Sequence, residues 1–91
     1  MNDSLPLRFG KGVRFRRDLD GNGLLLVPES ALQFNGSAGA AVELIDGSRT
    51  LDDIVDVLVE RFEVTRDAAL TDVRAVFERL IARGFLLESS E

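Results

Sequence analysis

The 91-residue sequence contains no cysteine, no histidine, no tryptophan and no tyrosine. Without cysteine, disulfide bonds and thiol chemistry are excluded, and without histidine the commonest general base is missing. The two absences together also exclude ordinary zinc sites and catalytic dyads of the Cys–His or Ser–His type. We therefore expect a protein that is not an enzyme and that has no catalytic residues, no metal ion and no cofactor.

Long apolar runs are also missing. Residues 1–10 hold no run as long as a signal peptide or a membrane span requires, so we expect a cytoplasmic protein with no membrane partner. Positive charge is scarce in residues 36–91, which carry twelve acidic and six basic side chains, and the whole chain has a net charge of −5. This acidic balance argues against a duplex DNA partner, because DNA phosphates require a basic protein face.

The remaining composition is that of one globular domain, with 45% hydrophobic and 30% charged residues. In the first third of the chain the hydrophobic period is two, which is typical of strands. Val13 and Phe15 alternate with arginines, Leu24 to Val27 form an apolar run, and Ser30 to Phe34 alternate again. The turn-forming segment from Asp20 to Gly23 joins the first two as a hairpin. We predict three short strands, with the third at a sheet edge.

From Asn35 the hydrophobic period becomes helical. The first predicted helix follows Asn35 or Ser37 and ends before Asp46-Gly47. Thr50 and Thr65 are the predicted N-caps of the second and third helices, and Gly84 ends the third. A three-stranded antiparallel sheet followed by three helices predicts an α+β fold of the winged helix-turn-helix type.

This pattern predicts three regions in the chain. Residues 1–12 are expected to form a flexible lead-in, residues 13–87 the folded domain and residues 88–91 a C-terminal tail. The segment from Phe85 to Leu87 is compatible with either a short strand or packed coil.

One calcium-binding pattern is present. Asp18, Asp20, Asn22, Gly23 and Glu29 match the spacing of an EF-hand loop. An EF-hand loop lies between two helices, whereas the residues before Asp18 have the period of a strand. We therefore interpret the segment as a hairpin turn.

A helix-turn-helix also raises the possibility of a DNA-binding regulator. A DNA-reading helix exposes Arg, Lys, Asn or Gln. The second predicted helix instead exposes Asp52, Asp53, Asp56 and Glu60, and the third mixes arginines with acids. DNA binding is therefore the alternative that the charges disfavour.

A peptide-binding groove is the function that the pattern favours. An edge strand over Ser30 to Phe34 offers unpaired backbone groups to which an extended peptide can add as a further strand. Val76 lies at the margin of the apolar stripe of the third helix, with Asp72, Arg79 and Arg83 beside it. A groove between strand and helix would have an apolar floor and a charged rim that selects the charges of the guest.

Several segments resemble the PqqD family. They are Leu25-Leu26-Val27-Pro28-Glu29, then Leu32 and Asn35, then Leu44-x-Asp46-Gly47-x-Arg49-Thr50 with Ile54, and finally Asp72-Val73, Phe77, Leu80 and Gly84. The resemblance covers roughly residues 12–87. It implies a winged helix-turn-helix peptide-recognition element that binds the precursor of a ribosomally made, modified peptide. It also implies presentation of that precursor to a radical S-adenosylmethionine enzyme, most simply in the synthesis of pyrroloquinoline quinone (PQQ).

The family groove lies between the third strand and the third helix. The residues expected to contact the peptide are therefore Ala31, Leu32, Gln33, Phe34, Asp72, Val76, Arg79 and Arg83. Members of the PQQ pathway often have Trp in the second strand and Cys before the Asp-Gly pair, where this chain has Leu24 or its neighbours and Ile45. A different modified-peptide pathway therefore stays open as an alternative.

Overall fold

A computed structural model of the chain describes residues 1–89 and shows an α+β fold. Within these residues five strands and three helices follow one another in the order β1, β2, β3, β4, α1, α2, α3, β5. Their bounds are Leu7–Phe9 (β1), Arg14–Arg17 (β2), Gly23–Val27 (β3), Ser30–Phe34 (β4), Gly36–Glu43 (α1), Leu51–Arg61 (α2), Arg66–Ala82 (α3) and Leu86–Glu88 (β5).

The predicted three-stranded antiparallel sheet is confirmed, with strand order β2-β3-β4. Phe15 pairs with Leu25 and Leu25 pairs with Leu32, so these three side chains form one row on the same face. Leu25 is fully buried at the centre of the row. Pro28 and Glu29 form the two-residue turn between β3 and β4. Because no strand among residues 1–89 pairs with the other side of β4, it is an edge of the sheet.

The three helices begin where the capping residues predict. The Thr50 side chain accepts a hydrogen bond from the Asp53 N–H, and the Asp53 carboxylate accepts one from the Thr50 N–H, which is a complete capping box. The Thr65 side chain caps α3 by accepting a single hydrogen bond from the Ala68 N–H. At the other end Gly84 has a φ of 79°, the left-handed conformation that commonly follows a helix.

The N-terminal region differs from the prediction of a flexible lead-in over residues 1–12. Leu7–Phe9 forms β1, which pairs with β5 in a separate two-stranded antiparallel sheet. The Leu7 N–H donates to the Arg49 carbonyl (2.9 Å) and its carbonyl accepts from the Gly47 N–H (2.8 Å). Its side chain is fully buried. The domain therefore begins before residue 13.

The C-terminal boundary differs from the prediction as well. Of the segment Phe85 to Leu87, Leu86 and Leu87 form a strand and Phe85 precedes it. Glu88, assigned by the sequence to the tail, is the last residue of β5. The Ser89 N–H donates to the Pro6 carbonyl at 2.8 Å. Ser90 and Glu91, the rest of the predicted tail, lie outside the described residues.

The core lies between the inner face of the three-stranded sheet and the helices. Its largest fully buried side chains are Phe77, Leu7, Leu25, Leu51, Ile54, Leu58, Leu86, Val42 and Val55. Leu44 and Ile45, which the sequence placed in α1, are buried just beyond the end of that helix. Among residues 1–89, no helix combines the length and the apolar character needed to cross a bilayer.

Candidate functional site

One face of α3 carries an apolar residue between charged ones. Asp72, Val76, Arg79 and Arg83 are spaced i, i+4, i+7 and i+11. At about 100° per residue, they fall within an arc of roughly 60° on the helix. Val73, Phe77 and Leu80 lie on the adjacent face and are buried. The stripe therefore runs along the border between the core and solvent.

The open edge of β4 lies opposite this stripe. Val27 and Ser30 flank a two-residue turn, so they form a hydrogen-bonded pair, and the pairs Leu25–Leu32 and Gly23–Phe34 follow with the same phase. The N–H and C=O groups of Ala31 and Gln33 consequently point away from β3. Within residues 1–89 neither backbone forms a hydrogen bond beyond this ladder. Two residues of β4 thus present unpaired donors and acceptors at the sheet edge.

A cavity of about 250 Å³ lies between the edge of β4 and the stripe of α3. Its lining is mainly apolar and includes two guanidinium groups; the residues are Leu32, Gln33, Phe34, Val76, Arg79, Leu80 and Arg83. Leu32 and Phe34 are half-buried, and their positions alternate with those of Ala31 and Gln33. We call this space, together with the edge of β4, the β4–α3 groove.

The groove continues in both directions along α3. Towards the start of the helix a small cavity is lined by Ser37, Ala38 and Ala41 of α1 and by Asp72, Val73 and Val76 of α3. Towards its end a shallow cavity of about 390 Å³ is lined by Val27, Pro28, Glu29, Ser30, Arg83 and Phe85. Val76 and Arg83 are shared with the central cavity. The β4–α3 groove therefore extends past both ends of β4.

The comparison with protein families gives one match over most of the chain. The profile of the family described as coenzyme PQQ synthesis protein D (PqqD) matches residues 22–86. This chain belongs to the PqqD family. The resemblance seen in the sequence is therefore confirmed.

Individual proteins named PqqA binding proteins are similar to this chain over most of its length. A PqqA binding protein of Rhizobium meliloti is 32% identical over 87 residues, which cover 94% of this chain and 89% of that protein. A PqqA binding protein of Bradyrhizobium diazoefficiens is 35% identical over 68 residues, which cover 75% of this chain and 66% of that protein.

A solved PqqD structure has the same fold. It is the solution NMR structure of the PqqD truncation of Methylobacterium extorquens PqqCD, with a TM-score of 0.79 and 25% identity. The superposition covers 96% of this chain and 94% of that chain. That protein is described as a functional, stand-alone recognition element for ribosomally synthesized and post-translationally modified peptides.

The structure of this PqqD-family chain brings most of the predicted site residues together. Six of the eight line the central cavity: Leu32, Gln33, Phe34, Val76, Arg79 and Arg83. Asp72 lies in the adjoining cavity. Ala31 lines neither cavity, and only its backbone lies at the edge. The sequence missed Leu80 and Phe85, because their helical and strand-like spacing also fits the core.

The two arginines of the groove, Arg79 and Arg83, differ in their charge partners from four arginines elsewhere in the domain. Four other arginines bind carboxylates: Arg17 binds Glu43, Arg49 binds Asp46, Arg66 binds Asp52 and Asp56, and Arg74 binds Asp3. The hydrogen bond from Arg17 lowers the pKa of Glu43, and that from Arg74 lowers the pKa of Asp3. Within residues 1–89, Arg79 and Arg83 form no ion pair. Arg83 instead lies over the Phe85 ring, 5.1 Å from its centre.

The segment with the EF-hand spacing is folded as a hairpin. The Asp18 carboxylate accepts hydrogen bonds from the N–H groups of Asp20 and Asn22, both at 2.9 Å, which closes the turn between β2 and β3. Glu29 lies at the far end of β3. The five residues of this strand, at about 3.3 Å each, separate the first and last ligand positions of the pattern by roughly 16 Å. One calcium ion cannot bridge that distance.

Proposed function

We propose that this chain binds PqqA, the precursor peptide of PQQ synthesis, in the β4–α3 groove. The observation that carries the proposal is the open backbone edge at Ala31 and Gln33 beside an apolar cavity. Membership of the PqqD family supports it, as do relatives named PqqA binding proteins and a related structure described as a recognition element.

The binding mode would be the addition of a strand. A guest peptide in extended conformation pairs with the outward N–H and C=O groups of Ala31 and Gln33, and every second side chain then faces α3. Each backbone hydrogen bond contributes about 1 kcal/mol net. An apolar side chain that enters the cavity over Val76 and Leu80 contributes about 1.5–3 kcal/mol more. Backbone pairing supplies affinity, and the cavity supplies selectivity.

The scaffold that we propose for this groove is a winged helix-turn-helix. The β2–β3 hairpin takes the place of the wing, and α2 and α3 form the helix pair, joined by residues 62–65. This use of the fold is unlike DNA reading, because the exposed side of α2 carries carboxylates that repel phosphate. Asp52 and Asp56 of that side bind Arg66.

We also propose that the protein has no chemistry of its own and presents the peptide, in the cytoplasm, to a radical S-adenosylmethionine enzyme. The polar side chains of the central cavity are one amide and two guanidinium groups. A guanidinium stays protonated at all physiological pH values and an amide does not titrate, so neither is a general base. Holding a peptide beside an enzyme raises its local concentration there. The exposed acids of α2 are a candidate contact surface for that enzyme.

The experiment is calorimetric titration of the protein with synthetic PqqA, using wild type, Val76→Asp and Val59→Asp. Val76 lies in the groove, whereas Val59 is 37% exposed on α2 and serves as the matched control. We expect micromolar binding by wild type and by Val59→Asp. We expect at least about tenfold weaker binding by Val76→Asp, because a desolvated carboxylate costs more than 1.4 kcal/mol.

Circular dichroism of both variants is the control for folding. Equal affinity of the two variants for PqqA would show that the peptide does not bind in the groove. No heat with wild type at high peptide concentration would refute the proposed function itself.

A further inference from the structure

The charges of the groove are ordered along α3. Asp72 lies towards the start of the helix, Arg79 and Arg83 lie towards its end, and Val76 lies between them on the same face. β4 runs antiparallel to this direction, since its Ser30 end shares a cavity with Arg83, whereas Ser37, just beyond its Phe34 end, shares one with Asp72. A strand bound along β4 therefore meets a negative side chain at one end and positive side chains at the other.

The two arginines are placed at a cost to the free protein. Arg79 and Arg83 are four residues apart, so like charges are neighbours on the helix surface, which is unfavourable. The nearest helical positions preceding them are Ala75, Val76 and Leu80, none of which carries a compensating carboxylate. Glu29 lines the outer cavity with Arg83 but forms no ion pair with it.

The helix dipole explains only part of this arrangement. Basic residues are favoured in the last turn of any helix. The dipole does not require both guanidinium groups to border an apolar cavity that is open to solvent. A carboxylate held between Arg79 and Arg83 would relieve their repulsion and form charge-assisted hydrogen bonds.

The spacing along the helix matches the period of a strand. At 1.5 Å per helical residue, the midpoint of Arg79 and Arg83 lies about 7.5 Å beyond Val76, and Asp72 lies about 6 Å before it. Two strand residues span about 6.6 Å and place their side chains on the same face. Three alternate side chains of one strand can therefore meet the basic, apolar and acidic parts of the groove at once.

We infer that the groove selects a peptide with a basic, an apolar and an acidic residue at alternate positions. This inference rests on the proposed peptide binding and specifies its substrate class. The acidic side chain lies between Arg79 and Arg83, the apolar one over Val76 and the basic one beside Asp72. In a strand antiparallel to β4 the order along the guest is basic-x-apolar-x-acidic, so the two charges stand four residues apart.

The test is charge-reversal complementation with PqqA as the probe. The protein variants are Arg79→Glu/Arg83→Glu, Asp72→Lys and, as the matched control, Arg14→Glu/Arg16→Glu on the outer face of the three-stranded sheet. The peptides are PqqA and a series in which each charged residue in turn is reversed. We expect the groove double variant to bind PqqA at least about tenfold more weakly and the sheet variant to bind within about twofold of wild type, since charges beyond about 8 Å are largely screened at physiological salt.

We further expect one acidic-to-basic peptide to restore binding to the Arg79→Glu/Arg83→Glu protein. A basic-to-acidic change four residues away should restore binding to Asp72→Lys. Restoration at any other spacing, or no restoration in folded variants, overturns the inference. If wild type binds PqqA and both double variants bind it equally, the inference falls while the proposed function stands. If wild type does not bind PqqA, both fall.

Discussion

Gly39 of α1 lies directly against the carbonyl oxygen of Phe34 at the end of β4. A Cβ atom built on Gly39 would approach that oxygen to 2.7 Å, closer than real Cβ contacts come. Gly39 is buried, and its N–H donates to the Asn35 carbonyl at 3.3 Å. The absence of a side chain therefore lets α1 pack against the strand and fixes the end of the groove that Ser37 and Asp72 line.

Gly39→Ala should destabilise the fold. The added methyl group meets backbone rather than a flexible side chain, so α1 must shift, at a cost of about 1–3 kcal/mol. Urea unfolding followed by circular dichroism measures the change. Ser37→Ala, at an exposed position of the same helix, is the control and should change stability by less than about 0.5 kcal/mol. Equal midpoints for the two variants would contradict the close contact.

Gln33→Pro should weaken peptide binding and leave the fold intact. Its N–H points away from β3, so proline removes a donor for the guest strand without breaking the β3–β4 ladder. We expect PqqA affinity to fall by roughly 2–10-fold, the value of one hydrogen bond.

Gln33→Thr also lacks the Gln33 amide but retains the backbone N–H, so it is the matched control and should bind PqqA more tightly than Gln33→Pro. Leu32→Pro removes a donor to β3 and should lower the unfolding midpoint. A Gln33→Pro protein that binds as tightly as Gln33→Thr would exclude strand addition at this edge.

Leu7→Ala should destabilise the domain as much as a mutation in the helical core does. Leu7 is fully buried although it precedes residue 13, and its removal leaves a cavity beside the turn that joins α1 and α2. We expect a loss of about 2–5 kcal/mol in the free energy of unfolding. Leu5→Ala, at a half-buried position two residues earlier, should cost clearly less. Similar small losses for both would support the flexible lead-in that the sequence predicted.

The stability of the fold should decrease in acid. Hydrogen bonds from Arg74 to Asp3, from Arg17 to Glu43 and from the Ser48 and Arg49 backbone to Asp46 lower the pKa of each carboxyl. A carboxyl whose pKa is lower in the folded state stabilises the fold above its unfolded pKa, and this contribution is lost as pH falls through the folded value.

We therefore expect the urea midpoint to be constant near neutral pH and to fall below about pH 4. Glu43→Gln should make that fall shallower, because one of the three linked carboxyls is gone. A midpoint that stays constant from pH 5 to pH 3 would show that these carboxyls are not linked to folding.

Local signals predicted the helices and the three-stranded sheet. The Thr50–Asp53 capping box, the Thr65 cap and Gly84 each mark one helix end. Each depends only on residues near that end, so the signal can be seen in a single sequence. β1 could not be predicted in this way. It has three residues, too few to show a period, and its partner β5 lies almost eighty residues away. The groove was predictable because strand alternation and helical spacing define its two walls, whereas Leu80 shows its role only when the walls are assembled.

The pairing of β1 with β5 has a consequence for how the domain can be built into larger proteins. Leu7, the first strand residue, lies opposite Glu88, the last. The polypeptide thus enters and leaves the domain at neighbouring points. Such a domain can be inserted into a surface loop of a host protein, or fused to one at either side, through short linkers and without opening its core. Grafting it onto an unrelated enzyme is therefore a practical way to bring a chosen peptide substrate to a new active site.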